Sequence, residues 1–277
     1  MKTGGRLAMP ASYDKAKGFT IVELVVVVTV LGLLTGVVLN TLGKFYGDNI
    51  SSLGKASQDT QTRGVLRSIE QDLSNASGFL SGLSGLSQPL GSNNGTSWSY
   101  LGTGPSNRVL IASSFATDKS PSDPTRVPVF VNRNGCNPSL EQIAQNASIY
   151  FIAQNPVTSK NDLYRRTITN YTATTGETLC APGVIYRKQS CAPSVVALYA
   201  SRCAVTDANI LRDVESFSVS YYGSPNQTSP SVPATDNGDR SSLVQSAKAI
   251  MVTVTTNNFI NGQYSSNTSS IRISLTY

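Results

Sequence analysis

Histidine is absent from all 277 residues. That removes the commonest general base, the nucleophile–histidine pairs of hydrolases and every imidazole metal site. Proline is absent between Pro10 and Pro89, so no ring interrupts that stretch. Cysteine is scarce: Cys136, Cys180, Cys191 and Cys203 are the only four. They contain no C-x-x-C pair, which favours disulfides over a four-thiolate zinc site. Four cysteines allow three pairings. Cys180 with Cys191 would close a short loop and leave Cys136 with Cys203, but spacing does not decide among them. Phosphate loops, metal boxes and paired catalytic carboxylates are also missing, so the sequence gives no reason to expect a cofactor or an enzyme.

Charge is thin, at 14% of the chain, and unevenly placed. Lys2, Arg6, Lys15 and Lys17 against Asp14 give the first eighteen residues +3, half of the net +6. The remainder is spread too sparsely to suggest a polyanion partner. Lys and Arg concentrated before an apolar segment instead hold that end in the cytoplasm.

The apolar segment is the dominant feature. From Leu24 to Leu39 only Thr29, Gly32, Thr35 and Gly36 interrupt it. Continued to Leu42, it would be about 28 Å long as a helix, close to the hydrocarbon thickness of a bilayer. A cleavable secretory signal has a shorter apolar core and ends at a small-x-small site. Here the core is longer, Leu39-Asn40-Thr41-Leu42 is a poor cleavage pattern, and Glu23 lies inside the apolar segment. The helix is therefore expected to be retained as a single-pass membrane anchor. A carboxylate at that depth needs a partner. The helix N-terminal dipole favours it, and Gly32-x-x-x-Gly36 offers a small-residue face for close packing.

Lys17-Gly18-Phe19-Thr20-Ile21-Val22-Glu23 directly before this run closely resembles the processing signal of type IV prepilins and type II secretion pseudopilins. The resemblance implies cleavage by a prepilin peptidase between Gly18 and Phe19 and N-methylation of Phe19. It also implies a role in assembly for Glu23, which would neutralise the new amine of a neighbouring subunit. The partners it implies are the peptidase, other pilin subunits, the assembly platform and membrane lipid. Leu163-Tyr164-Arg165 and Asp213-Val214-Glu215-Ser216-Phe217 resemble phrases in the heads of minor pilins and J-type pseudopilins.

Beyond Leu42 apolar residues recur at helical spacing: Phe45, Ile50, Leu53, Val65, Leu66, Ile69 and Leu73. Helix is expected to end near Ala76-Ser77-Gly78, and Gly43, Gly47, Gly54 and Gly64 are places where it could bend. Residues 79–107 are rich in Gly, Ser and Asn and read as an irregular connection. Strand-like runs follow. The clearest are in the last third: Phe217, Val219 and Tyr221; Ile250, Val252 and Val254; Ile271, Ile273, Leu275 and Tyr277. Their period of two means sheets with one face buried.

The expected fold class is α+β: a long N-terminal helix packed on an antiparallel β-sheet head. The expected divisions are a leader (1–18), a helix (19–77, transmembrane over 19–42 and amphipathic over 43–77) and a globular head (78–277). The expected function is that of a structural subunit assembled into a pilus or pseudopilus, as a minor or tip component. Its N-terminus would be cytoplasmic and its head extracytoplasmic, at the cell surface after assembly, where the head could touch a surface or DNA. The rival classes are a membrane-anchored binding protein that never polymerises and an anchored enzyme using lysine or carboxylate chemistry. Asp236-Asn237-Gly238-Asp239 groups oxygen ligands about a glycine, but lacks the distal glutamate of a full calcium loop and reads as a turn.

Overall fold

The computed structural model of the chain describes residues 20–84, 97–132, 136, 142–172, 177–196, 203–260 and 263–275. One helix, α1 (Ile21–Ser74), runs unbroken through all the glycines that could have bent it, and ends before the expected stop. The chain divides into two compact units, Met1–Ser51 and Ser52–Tyr277, and α1 continues across the division.

In the first unit the side chains of α1 are exposed throughout Ile21–Leu42. Phe45 and Ile50, which share the helical spacing of the later apolar residues, are exposed as well. In the second unit Leu53 is still exposed, and burial begins at Gln58. Gln58, Thr62, Leu66, Ile69 and Leu73 then form one stripe at intervals of three and four, the helical repeat.

That stripe packs into the largest core. Two antiparallel sheets supply most of the rest of it. The first contains β1 (Ala76–Phe79), β2 (Leu110–Phe115), β3 (Gln145–Gln154), β4 (Asn161–Ile168) and β5 (Ala208–Leu211), paired in chain order. The second contains β6 (Val214–Tyr222), β7 (Ala249–Ile260) and β8 (Gln263–Ser274), also in chain order. In both, strands that follow one another in this order are neighbours in the sheet, although only β3–β4 and β7–β8 are joined by short turns. The fold is thus α+β, with a long apolar helix followed by an antiparallel sheet-rich head.

The two sheets differ in how they are covered. Leu110, Ala112, Tyr150 and Leu163 point from the first sheet into the core shared with α1 and the second sheet. Their alternates Ile111, Ile149, Phe151, Tyr164 and Ile168 enter a second core on the opposite face, with Leu83 and Trp98. With both faces covered, β4 reads as a mixed sequence rather than a clean alternation. The second sheet keeps one wet face. Phe217, Val219, Ile250, Val252, Val254 and Ile273 are buried, while Ser266, Thr268, Ser270 and Arg272 on β8 are exposed.

One turn needs glycine. Gly102 has φ +59°, and an added Cβ there would stand 1.9 Å from the carbonyl oxygen of Asn107. Pro128 lies just outside a short strand, Phe130–Asn132, that is paired on both sides.

Candidate functional site

The N-terminal end of α1 is built from Thr20 and Glu23. The Thr20 amide and hydroxyl both donate to Glu23 Oε2, at 3.0 Å each. In return, the Glu23 amide donates to Thr20 Oγ1 at 3.3 Å. The first helical bond, from the Leu24 amide to the Thr20 carbonyl, is 3.1 Å. This is a capping box, in which an N-cap hydroxyl and the carboxylate three residues on satisfy each other's orphan amides. Glu23 is therefore not a lone acid, because one of its oxygens is held by its own chain. Oε2 takes both bonds, and Oε1 takes none among the described residues. The pattern T-x-x-E ahead of an apolar run is the signal that could have shown this from the sequence.

The other polar interruptions of the apolar helix are silenced locally. Thr29 donates to the Val25 carbonyl at 2.7 Å, Thr35 to Leu31 at 2.7 Å and Thr41 to Val37 at 2.8 Å. Each hydroxyl bonds four residues back, so none needs a partner in lipid. A Cβ added at Gly32 or Gly36 would meet nothing within 4 Å. Packing within the chain does not require these glycines, although each weakens a helix by about 1 kcal/mol relative to alanine. By length and composition α1 can cross a membrane. Gly18 and Phe19, the expected cleavage and methylation residues, lie outside the described residues, as does the leader.

A capped apolar helix long enough to span a membrane, ahead of a disulfide-bearing β head, fits a single-pass membrane anchor. Residues 13–39 match the family model for the prokaryotic N-terminal methylation motif. The chain thus carries the signature of type IV pilins and pseudopilins, a structural rather than enzymatic family whose members are processed by prepilin peptidase and assemble with other pilin subunits. No curated protein and no solved structure matches the chain.

The four cysteines pair as Cys136–Cys180 and Cys191–Cys203, with Cα separations of 5.4 and 5.6 Å. The short-loop pairing of Cys180 with Cys191 is not the one found. Cys191–Cys203 instead ties the two short strands, Ser190–Cys191 and Val205–Thr206, whose parallel pairing it brackets.

The Asp236–Asp239 segment is a turn held by cations and amides. Asp236 accepts from the Gly238 amide at 2.8 Å and from Arg240 Nε at 3.1 Å, while Asp239 accepts from the Ser241 amide and hydroxyl. The buried Arg108 guanidinium donates to the carbonyls of Ala234 and Asp236 and to Asn237 Oδ1. Two arginines are thus directed at the segment, Arg240 at the Asp236 carboxylate and Arg108 at the Asp236 carbonyl and Asn237 Oδ1, while Asp239 is held by Ser241.

Two charged constellations escaped the sequence reading. Arg166 is fully buried, donates to both oxygens of Asp207, and lies 5.2 Å from the Trp98 ring centre and 5.5 Å from that of Phe151. At the last turn of α1, Asp72 is met by Arg165 at 2.6 Å, Arg187 at 2.7 Å and the Tyr150 hydroxyl at 2.7 Å. Burial pushes the Asp72 carboxyl up, but Arg187, Arg165 and the Tyr150 hydroxyl outweigh it and hold it below its ordinary range. Nothing in the spacing of these residues announces either cluster, because the sheet pairing brings them together.

Proposed function

We propose that this chain is a minor, fibre-initiating or tip subunit of a type IV pilus-like or pseudopilus assembly. Prepilin peptidase removes residues 1–18 on the cytoplasmic side, and Phe19 becomes the N-methylated first residue. The segment 19–42 then waits in the membrane with its N-terminus cytoplasmic. Residues 43–77 continue the helix, and 78–277 form the extracytoplasmic head, which reaches the cell surface after extraction into the fibre.

The observation that carries this reading is the capped Glu23 at the start of an uncovered apolar helix that bears the methylation motif. Cleavage after Gly18 leaves the Phe19–Thr20 peptide bond intact, so the Thr20 amide still donates to Oε2. Oε1 remains open for the Phe19 amine of a neighbouring subunit. In a low-dielectric setting such a pair loses water together, and each charge requires the other. Gly32 and Gly36, which nothing in the chain fills, suit close approach of a second helix. The size of the head, which holds several sheets and two disulfides, favours a minor rather than a bulk subunit.

N-terminal mass spectrometry of protein recovered from membranes tests the first step. A chain beginning at methylated Phe19 is expected. Retention of the first eighteen residues in cells with an active prepilin peptidase would refute the reading. Glu23→Ala tests the second step, since a subunit that assembles should disappear from sheared filaments or from cross-linked pilin complexes. Wild-type behaviour of that variant would mark an anchored protein that does not polymerise.

A further inference from the structure

A cavity of about 480 Å³ opens beside the last turn of α1, lined by Asp72, Arg165, Arg187, Lys188, Thr167 and Thr206 among others. Arg165 and Arg187 already have a structural task. An acid in the last turn of a helix faces the negative end of the macrodipole, and these two guanidinium groups offset that. Arg187 is also fixed by a 2.9 Å bond to Ser148 Oγ.

The structural task does not use up the positive charge. One carboxylate plus roughly half a unit from the helix end stands against three cations. Lys188 is exposed and pairs with no acid among the described residues. Three acids within two residues of lining residues in the sequence are engaged elsewhere: Asp207 with buried Arg166 and Ser190, Asp118 with the Val127 amide, Asp123 with Thr125. An adjoining cavity of about 320 Å³ shares Pro121 and Arg187 and adds a further cation, Arg126. Converging cations in a concave, hydroxyl-bearing surface recognise carboxylate or phosphate through charge-assisted bonds. The volume suits a small molecule rather than a bare ion.

We propose that this cavity is a binding site for a carboxylate or phosphate group carried by a small ligand outside the membrane. Lys188 and the outward edges of Arg165 and Arg187 supply the charge, and Thr167 and Thr206 the hydroxyls. The site goes beyond the assembly reading and does not depend on it, because it is tested on the unassembled chain.

The experiment is calorimetric titration of the full chain in non-ionic detergent with galacturonate, inorganic phosphate and neutral galactose. Galacturonate, phosphate or both should bind, more weakly as salt rises, and galactose should not. Binding of galacturonate alone assigns a carboxylate ligand, and binding of phosphate alone a phosphate ester. Lys188→Glu should weaken binding by about 10- to 100-fold, the range of one charge-assisted bond. Lys188→Gln should fall between that variant and the parent. Because Lys188 is exposed, both variants should keep the parent's circular dichroism. Three results would each overturn the proposal: no anion binding at millimolar concentrations, equal binding of galactose and galacturonate, or undiminished binding by Lys188→Glu.

Discussion

The two parts of α1 obey opposite rules. In Ile21–Leu42 the residues are strongly apolar, yet as far as Ser51 no large hydrophobic side chain is buried by its own chain; Leu31, for example, is 62% exposed. In Ser52–Ser74 the composition is polar, yet Leu66, Ile69 and Leu73 fall to 3%, 1% and 0% exposure. Hydrophobicity of a helix therefore does not measure how much of the fold depends on it. The first part is written for a medium outside the chain, and the second for the head.

The most severe way to break this contrast is to substitute one leucine in each part. Leu73→Asp buries an unpaired carboxylate in the main core and should cost about 5 kcal/mol or more, enough to unfold a marginally stable head. Leu31→Ala, by contrast, should leave the thermal midpoint of the head unchanged in detergent. Near-ultraviolet circular dichroism during heating reads both. If Leu31→Ala lowers the head's midpoint by several degrees, the two parts of α1 are not independent.

Disulfide removal sharpens the same division. Both bridges lie within Ser52–Tyr277, so their loss should destabilise the head and leave the far-ultraviolet helix signal of the apolar part intact. Loop-closure entropy ranks them. Cys136–Cys180, with a separation of 44, should contribute about 4 kcal/mol. Cys191–Cys203, with a separation of 12, should contribute about 3 kcal/mol. Denaturant titration of each paired Cys→Ser variant gives the order, and the reverse order would count against loop length as the cause.

The contrast also explains what the sequence disclosed. The apolar run, the processing motif and the strands β6–β8 were legible because each has one face or one medium: Ile250, Val252 and Val254 alternate cleanly with residues on the wetter side. The region around β4 was less legible because both of its faces are covered, and Arg166 sits fully buried in a strand between Arg165 and Thr167. The helix stripe was misjudged at its start for a related reason. Gln58 and Thr62 are buried although polar, while Phe45, Ile50 and Leu53 are exposed although apolar. Disulfide pairing could not be read, since it depends on which strands meet. The capping box could have been, from Thr20 and Glu23 alone.

A smaller effect is expected at the junction of α1 with the head. Asp72 holds Arg165 and Arg187, and its carboxyl is depressed below the ordinary 3.8. A depressed folded value means the stabilisation is complete above the unfolded carboxylate range and drains as pH falls through the folded one. Asp72→Asn should therefore cost about 2 kcal/mol at neutral pH, a partly buried pair being discounted for solvent screening. The difference between variant and parent should begin to shrink once pH falls below the ordinary carboxylate value and go on shrinking until the folded Asp72 carboxyl protonates. Denaturant midpoints at pH 7 and pH 3 test this. A difference that stays constant with pH would mean that Asp72 acts by packing rather than by charge.

The smallest effect, at the far end of α1, bears most directly on the contrast. Thr20→Val removes the hydroxyl that both donates to Glu23 Oε2 and accepts from the Glu23 amide. Losing an N-cap costs about 1 kcal/mol, felt only in the first turn. Amide hydrogen exchange in bicelles should therefore speed up at Glu23 and Leu24, Thr20→Ser should restore protection, and the head should melt at its original temperature. Because residue 20 keeps its backbone amide in Thr20→Val and in Thr20→Ser, Oε2 retains one donor, so Glu23 should stay held to its own helix in both variants. A head that melts earlier in Thr20→Val would show that the apolar part of α1 transmits strain across Ser51, and the two parts would then have to be treated as a single element.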